Sequence, residues 1–182
     1  MFNFFTVLVL ENGEMVYDSN TSSYRDLIQQ LWLKDEKIDL VFAKIKILPH
    51  NWNIFSNPEP KNWYVKIDQS IKPNWFKKEY ERKCLKSFFE EVYPKCIFVE
   101  KKDLVFKDRK HLFIKDSSVE LYNSSAELYG TSSAKVYGLS SVKLYGSSSA
   151  ELYHSASAEL YDTSSAKVYG LSSVKLQPLI FD

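Results

Sequence analysis

At 182 residues the chain has room for one or two small domains, and a formal net charge of +1 gives no overall pull toward nucleic acid or an anionic membrane. The longest apolar run, around Phe4 to Leu10, is far too short to cross a bilayer, and two cysteines, Cys84 and Cys96, are too few for a disulfide framework. No basic stretch precedes an apolar one at the start, so no secretory signal is read and a reduced, cytoplasmic setting is expected. The glycosylation-like triplets Asn20-Thr21-Ser22 and Asn123-Ser124-Ser125 therefore carry no weight.

Phe4 to Leu10 reads as a strand, Asn12-Gly13 as a hairpin turn, and Met15 to Tyr17 as the return strand. Thr21, Ser22 and Ser23 offer an N-cap to a short amphipathic helix over Tyr24 to Leu33. Asp39 to Leu48 turns to strict alternation at Ala43-Lys44-Ile45-Lys46-Ile47, which predicts a strand, and Trp63 to Ile67 predicts another. Pro73 opens the longest predicted helix, Asn74 to Tyr93, and Pro94 is expected to stop it. Trp75, Phe76, Tyr80, Cys84, Leu85, Phe88, Phe89 and Val92 fall near one stripe of that helix. Cys96 to Glu100 and Leu104 to Lys107 read as strands, with His111 to Lys115 as a bridge. The order β-β-α-β-β-α-β-β predicts an α+β head over residues 1–116, with two helices on one face of a mainly antiparallel sheet.

From Ser117 to Gln177 the chain writes an octapeptide eight times, in forms such as SSAELYG, TSSAKVYG and LSSVKLYG. A fixed short period is the mark of a solenoid. Within each octad the alternation Ala/Val, charge, Leu/Val, Tyr has a period of two and predicts a strand. The next position holds Gly130, Gly138, Gly146 and Gly170, or Asn123, His154 and Asp162. Those residue types tolerate positive φ, so each octad is expected to end in a left-handed corner.

The charged position decides how many octads make a coil. With two per coil, one face stacks Glu120, Lys135, Glu151 and Lys167, and the other stacks Glu127, Lys143, Glu159 and Lys175. Both ladders alternate in sign, whereas three octads per coil would set Glu127 on Glu151 and Lys143 on Lys167. The expectation is a two-sided parallel β-solenoid, a β-helix, of about four coils over 117–182. It stacks Tyr122, Tyr137, Tyr153 and Tyr169 on one outer face and Tyr129, Tyr145 and Tyr161 on the other. Stacked rings can stabilise a thin module, and a rigid plane of tyrosines can also be a binding surface; both readings stand. After Pro178, Leu179-Ile180-Phe181 is either a cap over the last coil or a self-association patch, and a homodimer through the C-terminal coil is expected.

Signatures of catalysis are absent, so no catalytic residue, metal site or cofactor is expected. Gly13 is the only glycine before the repeats, which leaves no phosphate cradle, and His50, His111 and His154 are far apart in sequence. Cys84 lies on the apolar stripe and reads as a structural thiol. Two constellations remain. Trp52, Trp63 and Trp75 gather with polar amides between residues 51 and 76, as anchors of a small core or as an aromatic recognition patch. Residues 77–110 hold 11 Lys/Arg against seven acids, and Lys77, Lys78, Arg82, Lys83 and Lys86 share the outer side of the long helix. That side is either a solvated face or a contact for phosphates or an acidic partner.

The run Trp63-Tyr64-Val65-Lys66-Ile67-Asp68-Gln69, then Lys72-Pro73-Asn74-Trp75-Phe76, a helix with Cys84, and the SSAELYG-like repeats resembles phage and prophage accessory proteins. Those pair a small α+β head with a tail of repeats, with Asn in many relatives where this chain has Ser at the turn. The resemblance covers most of the chain and carries over no catalytic residue. It implies an origin in mobile elements, where small inhibitors of bacterial defence, anti-CRISPR proteins among them, are common. The partner it implies is a host protein or nucleoprotein complex, with no membrane involved.

Overall fold

The computed structural model describes residues 5–18, 20–21, 23–30, 41–56 and 58–178, and the chain divides into two units, Met1–Lys95 and Cys96–Asp182. In the first unit, β1 (Phe5–Leu10) turns through Asn12-Gly13 into β2 (Met15–Val16). Gly13 takes φ +85°, and the Leu10 N–H closes the turn on the Glu14 carbonyl at 2.9 Å. The helix α1 (Tyr24–Gln30) is capped by Ser23, whose Oγ accepts from the Asp26 N–H at 3.3 Å. Residues 31–33 of the expected helix and 39–40 of the expected strand lie outside the described residues. β3 (Phe42–Pro49) and β4 (Trp63–Ile67) complete an antiparallel sheet in the order β2-β1-β3-β4.

The two helices lie on opposite faces of this sheet, where one shared face was expected. Leu8 on β1 and its facial neighbour Phe42 on β3 pack with Leu27 and Ile28 of α1. Phe5 on the other face pairs in register with Ile47, and its ring lies 4.8 Å from that of Phe88, which is also 5.2 Å from Trp63. The physical reason is legible in β1: Phe5-Thr6-Val7-Leu8-Val9 is buried along its whole length, so both faces need cover.

The second helix starts later and ends later than its pattern suggested. Pro73 to Phe76 form a turn, closed by the Phe76 N–H on the Pro73 carbonyl at 3.0 Å, and α2 begins at Lys78 and runs to Ser87. It widens into a π-helical turn at Phe88–Val92 and continues as α3 (Tyr93–Cys96). Tyr93 donates to Phe88, five residues back, in the turn before Pro94. The extra residue accommodates Pro94, whose ring and missing N–H would otherwise break an α-helix there.

The second unit is a parallel β-solenoid. Its strands are β5 (Ile97–Val99), β6 (Leu104–Lys107), β7 (Leu112–Lys115), β8 (Ser118–Tyr122), β9 (Ser125–Tyr129) and β10 (Ser133–Tyr137). They continue as β11 (Ser141–Leu144), β12 (Ser149–Leu152), β13 (Ser157–Leu160), β14 (Ser165–Val168) and β15 (Ser173–Leu176). Successive strands alternate between two sheets, ordered β14-β12-β10-β8-β6 and β15-β13-β11-β9-β7-β5, so two strands make one coil. About five coils result, close to the four expected.

The added coil comes from residues 97–115, which were expected to belong to the head, with the boundary at 116. Leu104-Val105-Phe106-Lys107-Asp108 and Leu112-Phe113-Ile114-Lys115-Asp116 are degenerate repeats: apolar, variable, apolar, variable, corner. Asp108 and Asp116 take φ +53° and +49°, the same left-handed corner as Asn123, His154, Asp162 and the repeat glycines. These strands therefore pair in parallel with the solenoid and take no part in the antiparallel sheet of the first unit.

The register is the one the charges require. Lys135 pairs with Glu120 on one side and Glu151 on the other, and Lys143 with Glu127 and Glu159. Inside run Val119, Leu121, Ala126, Leu128, Ala134, Val136, Val142, Leu144, Ala150 and Leu152, all buried. The first serine of each pair from Ser117 to Ser148 is buried with them. Ser132 Oγ donates to the Tyr129 carbonyl at 2.7 Å, and Ser140 Oγ donates to that of Tyr137 at 2.6 Å while accepting from the Ser124 N–H at 2.9 Å. At these corners a hydroxyl satisfies the backbone without the bulk that would push the two sheets apart, and Ala156 fills the equivalent position in one octad.

Candidate functional site

The basic residues of the long helix are placed together. Lys77, at the N-cap of α2, and Lys78, Arg82, Lys83 and Lys86 along it are all exposed, while Cys84 on the same helix is buried. Lys83 Nζ lies 5.6 Å from the centre of the Tyr80 ring, and Lys86 reaches Glu90 at 3.9 Å. Among the described residues, Lys77, Lys78 and Arg82 form no ion pair. Half-buried Trp75 leans edge-on against Tyr80 at 5.7 Å, which brings an indole to the start of this basic side.

The three tryptophans do not share one role. Trp63 is 2% exposed and sits among Phe88, Phe89 and Tyr93, so it is a core residue and no part of a recognition patch. Its position at the start of β4, paired with Pro49 on the inward row, explains the burial. Trp52 is 55% exposed on a turn and takes φ +59°. Trp52 and half-buried Trp75 both keep indole surface open to solvent. Leu179, Ile180 and Phe181 lie outside the described residues.

The outer faces of the solenoid carry three parallel rows: the second serine, the charge and the tyrosine. Tyrosine centroids follow one another at 4.8, 5.0 and 4.9 Å from Tyr122 through Tyr137 and Tyr153 to Tyr169. Tyr129, Tyr145 and Tyr161 are spaced at 4.7 and 4.5 Å. Tyr137, Tyr153 and Tyr145, inside the rows, spend both faces on their neighbours, and hydroxyls are engaged as well. Tyr122, Tyr129, Tyr153 and Tyr161 donate to Glu120, Glu127, Glu151 and Glu159 at 2.6–2.9 Å. The hydrogen bond to Glu151 pushes the Tyr153 phenol up to about 12. Lys–Glu contacts of 3.9–4.0 Å cross between coils at Lys135–Glu120, Lys143–Glu127 and Lys167–Glu151. Between the serine and charged rows a trough runs along each face, of about 690 Å³ beside Ser133 and Lys135 and about 530 Å³ beside Ser141 and Lys143.

The groups that most often act as nucleophiles have structural employment here. Burial, with Glu81 nearby, pushes the Cys84 thiol up to about 12, and Cys96 is fully buried. Burial also lowers the His111 imidazole below its usual value. Among the described residues, no cluster of His, Cys, Asp or Glu is arranged to hold a metal ion, and no helix is long and apolar enough to cross a membrane.

Asp116 is a residue that the octapeptide pattern missed. Its Oδ1 accepts from the Thr131 N–H at 2.9 Å and from Thr131 Oγ1 at 3.1 Å, one coil away. Those bonds hold its carboxyl below the usual range. The signal was the Ile-Lys-Asp that precedes the first serine pair, in the corner position of a degenerate octad. No protein-family model, no curated protein and no solved structure matches the chain.

Proposed function

We propose that the chain is a non-enzymatic binding protein that recognises its partner through the basic side of α2 and carries the solenoid as a rigid stem. The single observation that carries this reading is the exposed row Lys77, Lys78 and Arg82, beside Lys83, Lys86 and the indole of Trp75. Exposed cations beside an aromatic suit an acidic or phosphate-bearing surface. The stem role is supported by the tyrosines and serines, whose rings and hydroxyls are largely engaged with one another and with the solenoid's own backbone and carboxylates. The resemblance to phage accessory proteins puts forward the class of partner: a host nucleoprotein complex of a defence system, occluded in the manner of an anti-CRISPR protein.

The test is capture from bacterial lysate, with and without nuclease, using the native chain and the variant Lys78→Glu, Arg82→Glu, Lys86→Glu. Retention of a nucleoprotein complex by the native chain and its loss in the variant is the expected result. Loss of the native signal on nuclease treatment alone would place the contact on nucleic acid, and equal retention by both chains would overturn the reading.

The troughs favour a second reading, in which the Tyr/Ser faces of the solenoid are themselves an adhesive surface. Replacing Tyr137, Tyr153 and Tyr169 by Ser would then abolish capture and the α2 variant would not.

A further inference from the structure

The solenoid keeps a rule from coil to coil: a lysine rung lies between two glutamate rungs, and a tyrosine ring lies between two neighbours. Lys135 has Glu120 below and Glu151 above, and Tyr137 lies between Tyr122 and Tyr153. The rule stops being satisfied at β14. Among the described residues, Lys167 has Glu151 on one side and no partner rung on the other, and β14 pairs with β12 alone. Tyr169 stacks on Tyr153 and is otherwise 44% exposed. Val168 is 46% exposed where its equivalent Leu152 is 0%. Leu152 offers its carbonyl to the Tyr169 N–H at 2.8 Å, but among the described residues no strand donates to the equivalent carbonyl of Val168.

The repeat itself also changes at this point. In the octad that ends at Gln177, the tyrosine is Gln177 and the corner residue is Pro178. Proline is fixed near φ −65° and cannot take the left-handed corner that every preceding octad uses. The slot beside β14, where the next strand of that sheet would lie, is left with a defined chemical demand. An incoming strand must run parallel and present an apolar residue, a carboxylate over Lys167, a second apolar residue over Val168, and an aromatic ring over Tyr169.

We propose that the edge of β14 is an acceptor site for a strand of a partner protein with that pattern: apolar, acidic, apolar, aromatic. Recognition is by strand addition, with main-chain hydrogen bonds supplying affinity and the Lys167 and Tyr169 rungs supplying selectivity. A second copy fits this site poorly: its β6 would set Val105 over Lys167 and Lys107 over Tyr169, and two β14 edges side by side would bring like charges together. This inference is independent of the reading of α2.

The test uses the full chain and two labelled octapeptides, followed by fluorescence anisotropy. One has the sequence of residues 147–154, which carries Glu151 and Tyr153; the other has that of residues 131–138, which carries Lys135 and Tyr137. The acidic peptide is expected to bind about tenfold more tightly than the lysine peptide. Lys167→Glu should reverse that order, and Tyr169→Ser should weaken both. Equal binding of the two peptides, or no binding of either, overturns the proposal. So does concentration-dependent self-association that the acidic peptide fails to disrupt, which would assign the site to a second copy. Binding seen only after residues 179–182 are removed would assign it to the chain's own terminus, again overturning the proposal.

Discussion

Lys143 lies 3.9 Å from Glu127, which precedes it by sixteen residues and sits one coil away at the same rung. On its other side the same lysine is in register with Glu159. Changing Lys143 to Glu would put three carboxylates in adjacent rungs, turning two favourable neighbours into two unfavourable ones. A loss of roughly 1–2 kcal/mol is expected from urea unfolding. Adding Glu127→Lys, Glu159→Lys and Lys175→Glu should recover most of it by restoring alternation along the whole ladder.

Gly130 and Gly146 occupy equivalent corners at φ +67° and +68°, yet they should not respond alike to Ala. A Cβ on Gly146 meets nothing closer than 3.4 Å, whereas on Gly130 it would collide with Asp116 Oδ1. Both substitutions carry the left-handed penalty of about 1–2 kcal/mol. Gly130→Ala must in addition displace the carboxylate from Thr131, so its melting temperature should fall further, and Asp116→Ser should close the gap.

The buried serines give a third comparison. Ser140 is 1% exposed, and its Oγ serves both the Tyr137 carbonyl and the Ser124 N–H. Ser140→Ala leaves both groups short of a partner and is expected to cost about 1–3 kcal/mol. The neighbouring Ser141 is exposed on the outer face, and its replacement by Ala should stay within about 0.5 kcal/mol.

Alkaline pH should loosen the tyrosine ladders. Hydrogen bonding to Glu151 and Glu120 raises the phenols of Tyr153 and Tyr122, and burial does the same for Tyr145 and Tyr161. A raised folded pKa stabilises the fold while the phenol stays neutral. That contribution is complete below the ordinary phenol value near 10 and disappears as pH rises toward about 12, the value for Tyr153. Phenolate absorbance and circular dichroism followed together from pH 9 to 12.5 should show ionisation and loss of the solenoid in step.

The solenoid was legible because its determinants are local and repeated: strand alternation, corner residues and a charge at every rung. Its first strands, β5 to β7, were not, because Phe, Ile and Lys replace the repeat residues there and the corner after β5 is Glu100, which leaves only Asp108 and Asp116 as residue types that mark a corner. In the head, the strands and the hairpin at Gly13 followed from pattern, but the placement of α1 and α2 on opposite faces did not. That depends on β1 being buried throughout, which an apolar run alone does not distinguish from a half-buried strand. The same limit applies to the site. The exposure of Lys77, Lys78 and Arg82 followed from helical spacing, while the burial of Trp63 followed from its pairing with Pro49, a contact between distant segments.

The strand-acceptor edge and the outer ladders both require two octads per coil, and an engineered cross-link measures that directly. Ser133 and Ser149 are register partners on β10 and β12, adjacent strands spaced about 4.8 Å apart, within disulfide reach. Ser133 and Ser157 would be partners only if three octads made a coil; here they lie in different sheets. Oxidation of the Ser133→Cys, Ser149→Cys variant should give a disulfide seen by peptide mass mapping, with none in the Ser133→Cys, Ser157→Cys variant. The reverse outcome would contradict the two-sided solenoid and with it the acceptor edge.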